Sequence, residues 1–184
     1  RAMRACGLAL SALGHMAGRA EAMEQAVELL AGARELFDED HSPLDAGALL
    51  AAQAETLICW QEAQPTDQLL RSAEDMLTRA WRLCATRSTG LEVEIRLRAA
   101  RVKTLLASGQ GDVLALSNQE SRLRQRLGRG STDAVAWAVD QLSLAGVYEA
   151  LDDLGCQPGR SWAAAYARSE AIETLREAGL GGVL

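Results

Sequence analysis

Residues 132–179 decide the fold: TDAVAWAVDQLSLAGVYEALDDLG (132–155), CQPGR (156–160) and SWAAAYARSEAIETLREAG (161–179). Both long segments are apolar at helical spacing, and the break between them holds Pro158 and Gly159, which a continuous helix does not tolerate. The stretch therefore predicts a helical hairpin. Within its first helix, Leu144-Ala145-x-x-Tyr148 sets a small residue among large ones. A small side chain there lets a second helix approach closely.

The same step recurs upstream. In the first helix of each pair it falls at Leu8-Ala9, Leu50-Ala51, Ala99-Ala100 and Leu144-Ala145. In the second helices, Ala26, Leu30 and Ala33 match Ala73, Leu77 and Ala80, with Trp162, Tyr166 and Ser169 aligned after them. The packing residues read this way are Ala51, Ala100, Ala145, Tyr148, Ala73, Leu77 and Ala80. Breaks at Gly18, at 38–43 (with Ser42 as N-cap), at Gln64-Pro65-Thr66, at 85–90, at Ser108-Gly109-Gln110-Gly111 and at 128–132 separate eight helices. They form four hairpins, approximately 2–37, 44–86, 91–128 and 132–178, followed by a tail at 179–184 whose Gly179 caps the last helix. Each pair buries against its neighbour what it cannot bury alone.

Composition agrees with an all-α protein. Ala, Leu, Glu, Gln and Arg abound, β-branched residues are few, and three prolines lie between the apolar-periodic segments. The 184 residues suit one domain or one compact array, and 48% apolar with 24% charged residues is an ordinary soluble balance. The net charge of −6 is uneven: −5 over residues 1–90, +4 over 91–130 and −5 over 131–184. A uniformly basic nucleic-acid surface is thereby excluded, and no aromatics interleave with the arginines at 122, 124, 126 and 129, which make one basic end.

Cys6, Cys59, Cys84 and Cys156 form no CxxC pair, and His15 and His41 give no metal-ligand spacing. The expectation is four free thiols in a reducing, cytoplasmic compartment. Asp38-Glu39-Asp40 lacks the alternating ligands of a calcium loop and reads as a solvated helix terminus. No apolar run reaches the ~18 residues that span a bilayer. The chain opens on Arg1 without a Met and is read as a fragment of a larger protein. No catalytic set, cofactor motif or metal site emerges from the residues.

The helix around 91–108 has two apolar faces, Leu91, Ile95, Ala99, Val102 and Leu106 on one and Val93, Leu97, Ala100 and Thr104 on the other. Arg98 and Arg101 lie in one gap between them, Arg96 and Lys103 in the other. Such a helix is sandwiched, with basic stripes left at its sides.

The repeat pattern, best at Leu144, Ala145 and Tyr148 and at Ala73, Leu77 and Ala80, resembles the tetratricopeptide repeat in a divergent, long-helix form. Its period exceeds 40 residues where that family has ~34. The resemblance implies a right-handed stack of antiparallel hairpins whose first helices line a concave groove. It also implies a protein or peptide partner, with Arg98 and Arg101 gripping an acidic segment or a C-terminus bidentately. Glu55 and Glu149 occupy similar positions after the small residue, either as further partner-binding residues or as ion-pair partners of those arginines. The reading is a non-enzymatic interaction module, a scaffold or regulatory segment of a larger bacterial protein. The alternative is a small-molecule sensor with a closed, mostly apolar pocket. Homo-oligomerisation stays open.

Overall fold

The protein is described as a computed structural model covering residues 2–84, 87–130, 133–156 and 159–183. Among these residues it is all-helical: α1 (Ala2–Ala17), α2 (Ala20–Glu35), α3 (Pro43–Ala63), α4 (Asp67–Cys84), α5 (Thr89–Gly109), α6 (Val113–Gly128), α7 (Ala134–Asp153), α8 (Ser161–Glu177) and a 3-10 turn at Gly181–Val183. Pro158, Thr132 and Ala85-Thr86, which bore on the expected breaks, lie outside the described residues.

The helix ends have local causes. Asp112 caps α6 by accepting from the Ala115 amide at 2.8 Å, and Asp133 caps α7 by accepting from Val135 and Ala136. Ser42 stands at the N-cap of α3, but its side chain makes no capping bond. Pro43 at the first helical position has no N–H to satisfy, so one of the donors a cap would serve is absent. At the end of α8, Gly179 takes a φ of 74° and the Leu180 amide reaches back to the Leu175 carbonyl at 2.7 Å, a Schellman closure. Gly155 ends α7 the same way, with Cys156 donating to Leu151.

The residues group into two compact units, 1–102 and 103–184, and the division falls within α5. In the first unit α1 packs on α2 and α3, α2 on α3, and α3 on α4. Leu30, Ala33, Leu49 and Ala52 form one core there, with Met3, Leu8 and Phe37 against it. α3 is buried on nearly all sides from Ala46 to Ile58, as a helix between neighbours must be. In the second unit α7 is the central helix, packed on α6 and α8, and Leu116, Leu123, Ala145, Tyr148, Leu151 and Ala164 share its core.

Small residues set the close approaches. Ala51, Ala73, Ala80 and Ala145 are fully buried, Leu77 and Tyr148 nearly so, and Ala100 is half-buried. A Cβ on Gly47 would stand 2.1 Å from Cys84 Sγ, and one on Gly7 would stand 2.6 Å from Leu30 Cγ. Two assigned steps need correction. Ala9 is exposed, and the buried stripe of α1 is Gly7, Ser11 and Gly14. Trp162, Tyr166 and Ser169 are exposed as well, and α8 packs through Ala164, Ala167, Ala171 and Leu175. Two positions along a helix turn a side chain through about 200°, so the aromatic alignment selected the opposite face. The buried stripes keep a regular register: Met23, Ala26 and Leu30 precede Leu70, Ala73 and Leu77 by 47 residues, and Ala164, Ala167 and Ala171 follow those by 94.

Candidate functional site

In the first unit α1, α3 and α5 bring their charges together. Arg98 of α5 donates to Glu55 of α3 at 2.7 Å and to Glu94, one turn earlier on its own helix. Glu94 also receives Arg4 of α1 at 3.7 Å. Arg101 reaches Glu55 at 3.5 Å and bonds Glu62, two turns along α3 from Glu55. His15, near the end of α1, lies 3.7 Å from Glu62. The result is a strip of three arginines, three glutamates and one histidine across three helices.

Burial sorts these residues into two roles. The Arg98 side chain is 17% exposed and the Arg101 side chain 43%. Burial alone would push the Arg98 pKa down, but Glu94 and Glu55 more than offset it and hold the guanidinium above its ordinary value. Arg98 is thus locked between two carboxylates. Arg101 keeps donors toward solvent.

Cys59 stands beside the strip, one turn past Glu55. Burial first, then the Glu55 carboxylate, push its thiol up to about 11. The thiolate, the reactive form, is then about one part in a thousand at pH 8. Burial also raises Cys84, with Arg87 opposing it. All four cysteines are free, Cys6 and Cys156 on the surface. Alkylation of the native protein at pH 8 is therefore expected to label Cys6 and Cys156 first, with Cys59 and Cys84 following only on unfolding. Peptide mapping of a time course checks the order, and early labelling of Cys59 would place it outside the shielded strip.

Of the residues assigned from sequence, the fold brings Arg98, Arg101 and Glu55 together and leaves Glu149 apart. Glu149, on α7, pairs with Arg168 of α8 at 2.8 Å. Sequence reasoning missed Arg4, His15, Glu62 and Glu94 as members of the strip. Glu94 lies i−4 from Arg98 and Glu62 lies i+7 from Glu55, spacings that place them on the same faces. Arg4 and His15 carry no such signal, because only the packing of α1 on α3 brings them there. Among the described residues, the buried atoms Gln53 Oε1, Trp60 Nε1 and Arg4 Nε have no hydrogen-bond partner.

The remaining candidates are occupied locally. Asp38 accepts from the Asp40 amide and bonds His41, and both contacts lower its pKa, the Asp40 amide most. Glu39 pairs with Arg79 of α4 at 2.7 Å. A surface depression of about 500 Å³ beside them is lined by Glu39, Asp75, Thr78, Arg79, Arg82 and Leu83, five polar residues to one apolar. The depression lies open at the surface, unlike the enclosed pocket that suits a sensed small molecule. In the second unit Arg124 and Arg160 both pair with the buried Glu120, at 2.9 and 2.6 Å, and both stand over the Tyr148 ring. Arg126 grips Asp140 with two nitrogens, at 2.9 and 2.8 Å.

No protein family, curated protein or solved structure matches this sequence. Among the described residues no helix is long and apolar enough to cross a membrane, and no group of three His, Cys, Asp or Glu side chains is placed to hold a metal ion.

Proposed function

We propose that the protein is a non-enzymatic, tetratricopeptide-like interaction module, a right-handed stack of hairpins that holds a protein or peptide segment across α1, α3 and α5. The observation that carries this reading is the charged strip, in which three helices distant in sequence place half-exposed Arg4, Arg101, Glu62 and His15 on one surface. The register of about 47 residues between buried stripes supports the repeat. Four free thiols support a reducing cytoplasmic setting, in keeping with a scaffold or regulatory segment of a bacterial protein.

The chemistry of the strip narrows the partner. Arg98 is committed to Glu55 and Glu94 and serves as a frame. Arg101 is the accessible grip, and a carboxylate on the partner replaces Glu62 as its acceptor. An acidic segment or a free C-terminus is the matching ligand class. The contacts lie at the surface, so binding weakens as salt rises.

The test is fluorescence anisotropy with a panel of labelled acidic peptides ending in free carboxylates, against amidated, Gln-substituted controls. The wild-type protein is expected to bind members of the acidic set and lose them in high salt, and Arg101→Ala to lose them while it stays folded, with its melting temperature lowered by no more than a few degrees. Equal binding of acidic and control peptides, or full retention by Arg101→Ala, removes the reading.

A further inference from the structure

The outer faces of α6 and α8, both in the second unit, carry complementary rows of side chains. Turning 100° per residue from Trp162, the residues Trp162, Tyr166, Glu170, Glu173 and Glu177 of α8 fall within an arc of about 80° along roughly 22 Å of helix. All but the half-buried Glu170 are exposed, on the side of the helix away from its buried alanines. Trp162 is 72% exposed and Tyr166 60%. In the 47-residue register these two positions are Glu21 and Gln25 in α2 and Gln68 and Ser72 in α4. Aromatic side chains at this place are thus special to α8, and exposed aromatics of this size are typical anchors of protein contacts.

The lower part of the row is costly to α8 itself. Glu170, Glu173 and Glu177 repel one another at i, i+3 and i, i+4 spacings, and Glu177 stands at the negative end of the helix dipole. Within the helix, Glu170 accepts from the Tyr166 hydroxyl, and Arg176 reaches only Glu173, at 3.8 Å. The row asks for a partner that is apolar at one end and basic at the other.

α6 presents that partner. Leu114, Asn118, Arg122, Gln125 and Arg129 stand 48 residues before the five positions of α8, so they trace the same arc on α6 and its C-cap. All five are exposed, opposite the buried Leu116 and Leu123, and Leu114 is 71% exposed. Arg122 and Arg129 have no ion-pair partner among the described residues, although their neighbours Arg124 and Arg126 do. We infer that this protein self-associates by laying α6 of one copy, parallel, on α8 of another: Leu114 meets the Trp162 and Tyr166 rings, Arg122 meets Glu170, and Arg129 meets Glu177. This inference stands independently of the peptide strip on α1, α3 and α5.

The two rows differ, so the contact is heterologous, and each copy offers one of each. A helix-on-helix contact of this size suits a micromolar interaction. Sedimentation equilibrium of the full chain up to about 100 µM spans that range. The weight-average mass is expected to rise with concentration above the 19.7 kDa monomer and to fall back toward it in high salt. Arg122→Glu/Arg129→Glu opposes acid to acid, and Glu170→Arg/Glu177→Arg opposes base to base. Each double variant alone is expected to stay at 19.7 kDa, and an equimolar mixture of the two to regain a mass of at least twice that. Trp162→Ala, which leaves every charge in place, is expected to weaken association about tenfold or more. A wild-type protein that stays monomeric throughout would overturn the inference and leave the acidic row to a basic segment of another protein. Association that survives both reversals, or a mixture that stays monomeric, would overturn it equally. Circular dichroism confirms the fold of each variant; should a reversal not fold, Arg122→Gln/Arg129→Gln replaces it, with the same loss expected.

Discussion

Gly47→Ala is expected to destabilise the first unit, although alanine is the better helix former by about 1 kcal/mol. The new methyl would lie 2.1 Å from Cys84 Sγ, far inside van der Waals contact, with the Ala80 carbonyl oxygen at 3.4 Å behind it. Cys84 is fully buried, so its sulfur can give way only by displacing packed neighbours. Overpacking of this kind costs about 1–3 kcal/mol or more, and we expect the net loss to be about 2 kcal/mol. For a protein of this length that lowers the melting temperature by about 4–8 °C. The cause is specific, so it has a specific remedy. Cys84→Ala removes the sulfur, and the methyl introduced at position 47 then fills the space it leaves. The double variant should melt close to wild type and above Gly47→Ala, a non-additivity visible in a double-mutant cycle. A single Gly47→Ala variant that melts at or above wild type would mean that α3 and α4 are not held at this separation.

Arg98→Ala and Arg101→Ala should separate cleanly despite their kinship in sequence. Losing Arg98 leaves Glu55 and Glu94, both mostly shielded, with only the longer contacts from Arg101 at 3.5 Å and Arg4 at 3.7 Å. Breaking a buried pair from one side costs about 3–5 kcal/mol, and the remaining arginines reduce this to about 2–3 kcal/mol here. Losing Arg101, whose side chain is far more exposed, costs at most about 1 kcal/mol. Chemical denaturation of the two variants checks the difference. Arg98→Ala combined with Glu55→Gln should recover part of the loss, because one stranded charge is gone. Equal midpoints for the two single variants would mean that Arg98 frames nothing.

This contrast also marks how far periodicity could reach into the candidate site. Arg98 and Arg101 share a face because they are three residues apart on a helix, and that much is local geometry. Which of them is locked and which is open depends on where α3 places Glu55 and Glu62, separations of about 40 residues that spacing does not encode. Arg4 and His15 join the strip only through the packing of α1. The candidate partner surface was therefore legible as two arginines and one glutamate, and became a seven-residue strip only once the helices were assembled.

The reading of α8 went astray for a related reason. Trp162, Tyr166 and Ser169 align as packing residues in the sequence because they share the i, i+4, i+7 spacing of Ala73, Leu77 and Ala80. In α8 the core contact is made by alanines, which permit close approach to α7, and the aromatics are turned outward. Likewise Ala9 lost its assigned place to Gly7, where Leu30 leaves no room for a Cβ. Where one helix offers two small-residue stripes, the neighbour chooses between them.

Sequence by itself determined that the protein is all-helical and where the helices lie. Apolar period, scarce β-branched residues and Gly and Pro breaks are properties of a few consecutive residues, and they placed the helix boundaries to within about two or three residues. Tertiary structure alone decided which face of α1 and of α8 is buried, that Arg98 is locked between two carboxylates while Arg101 is more exposed, and that the contacts gather into two units divided within α5. Those outcomes depend on side chains tens of residues apart meeting in space, where burial and charge pairing are settled by the neighbour rather than by the helix.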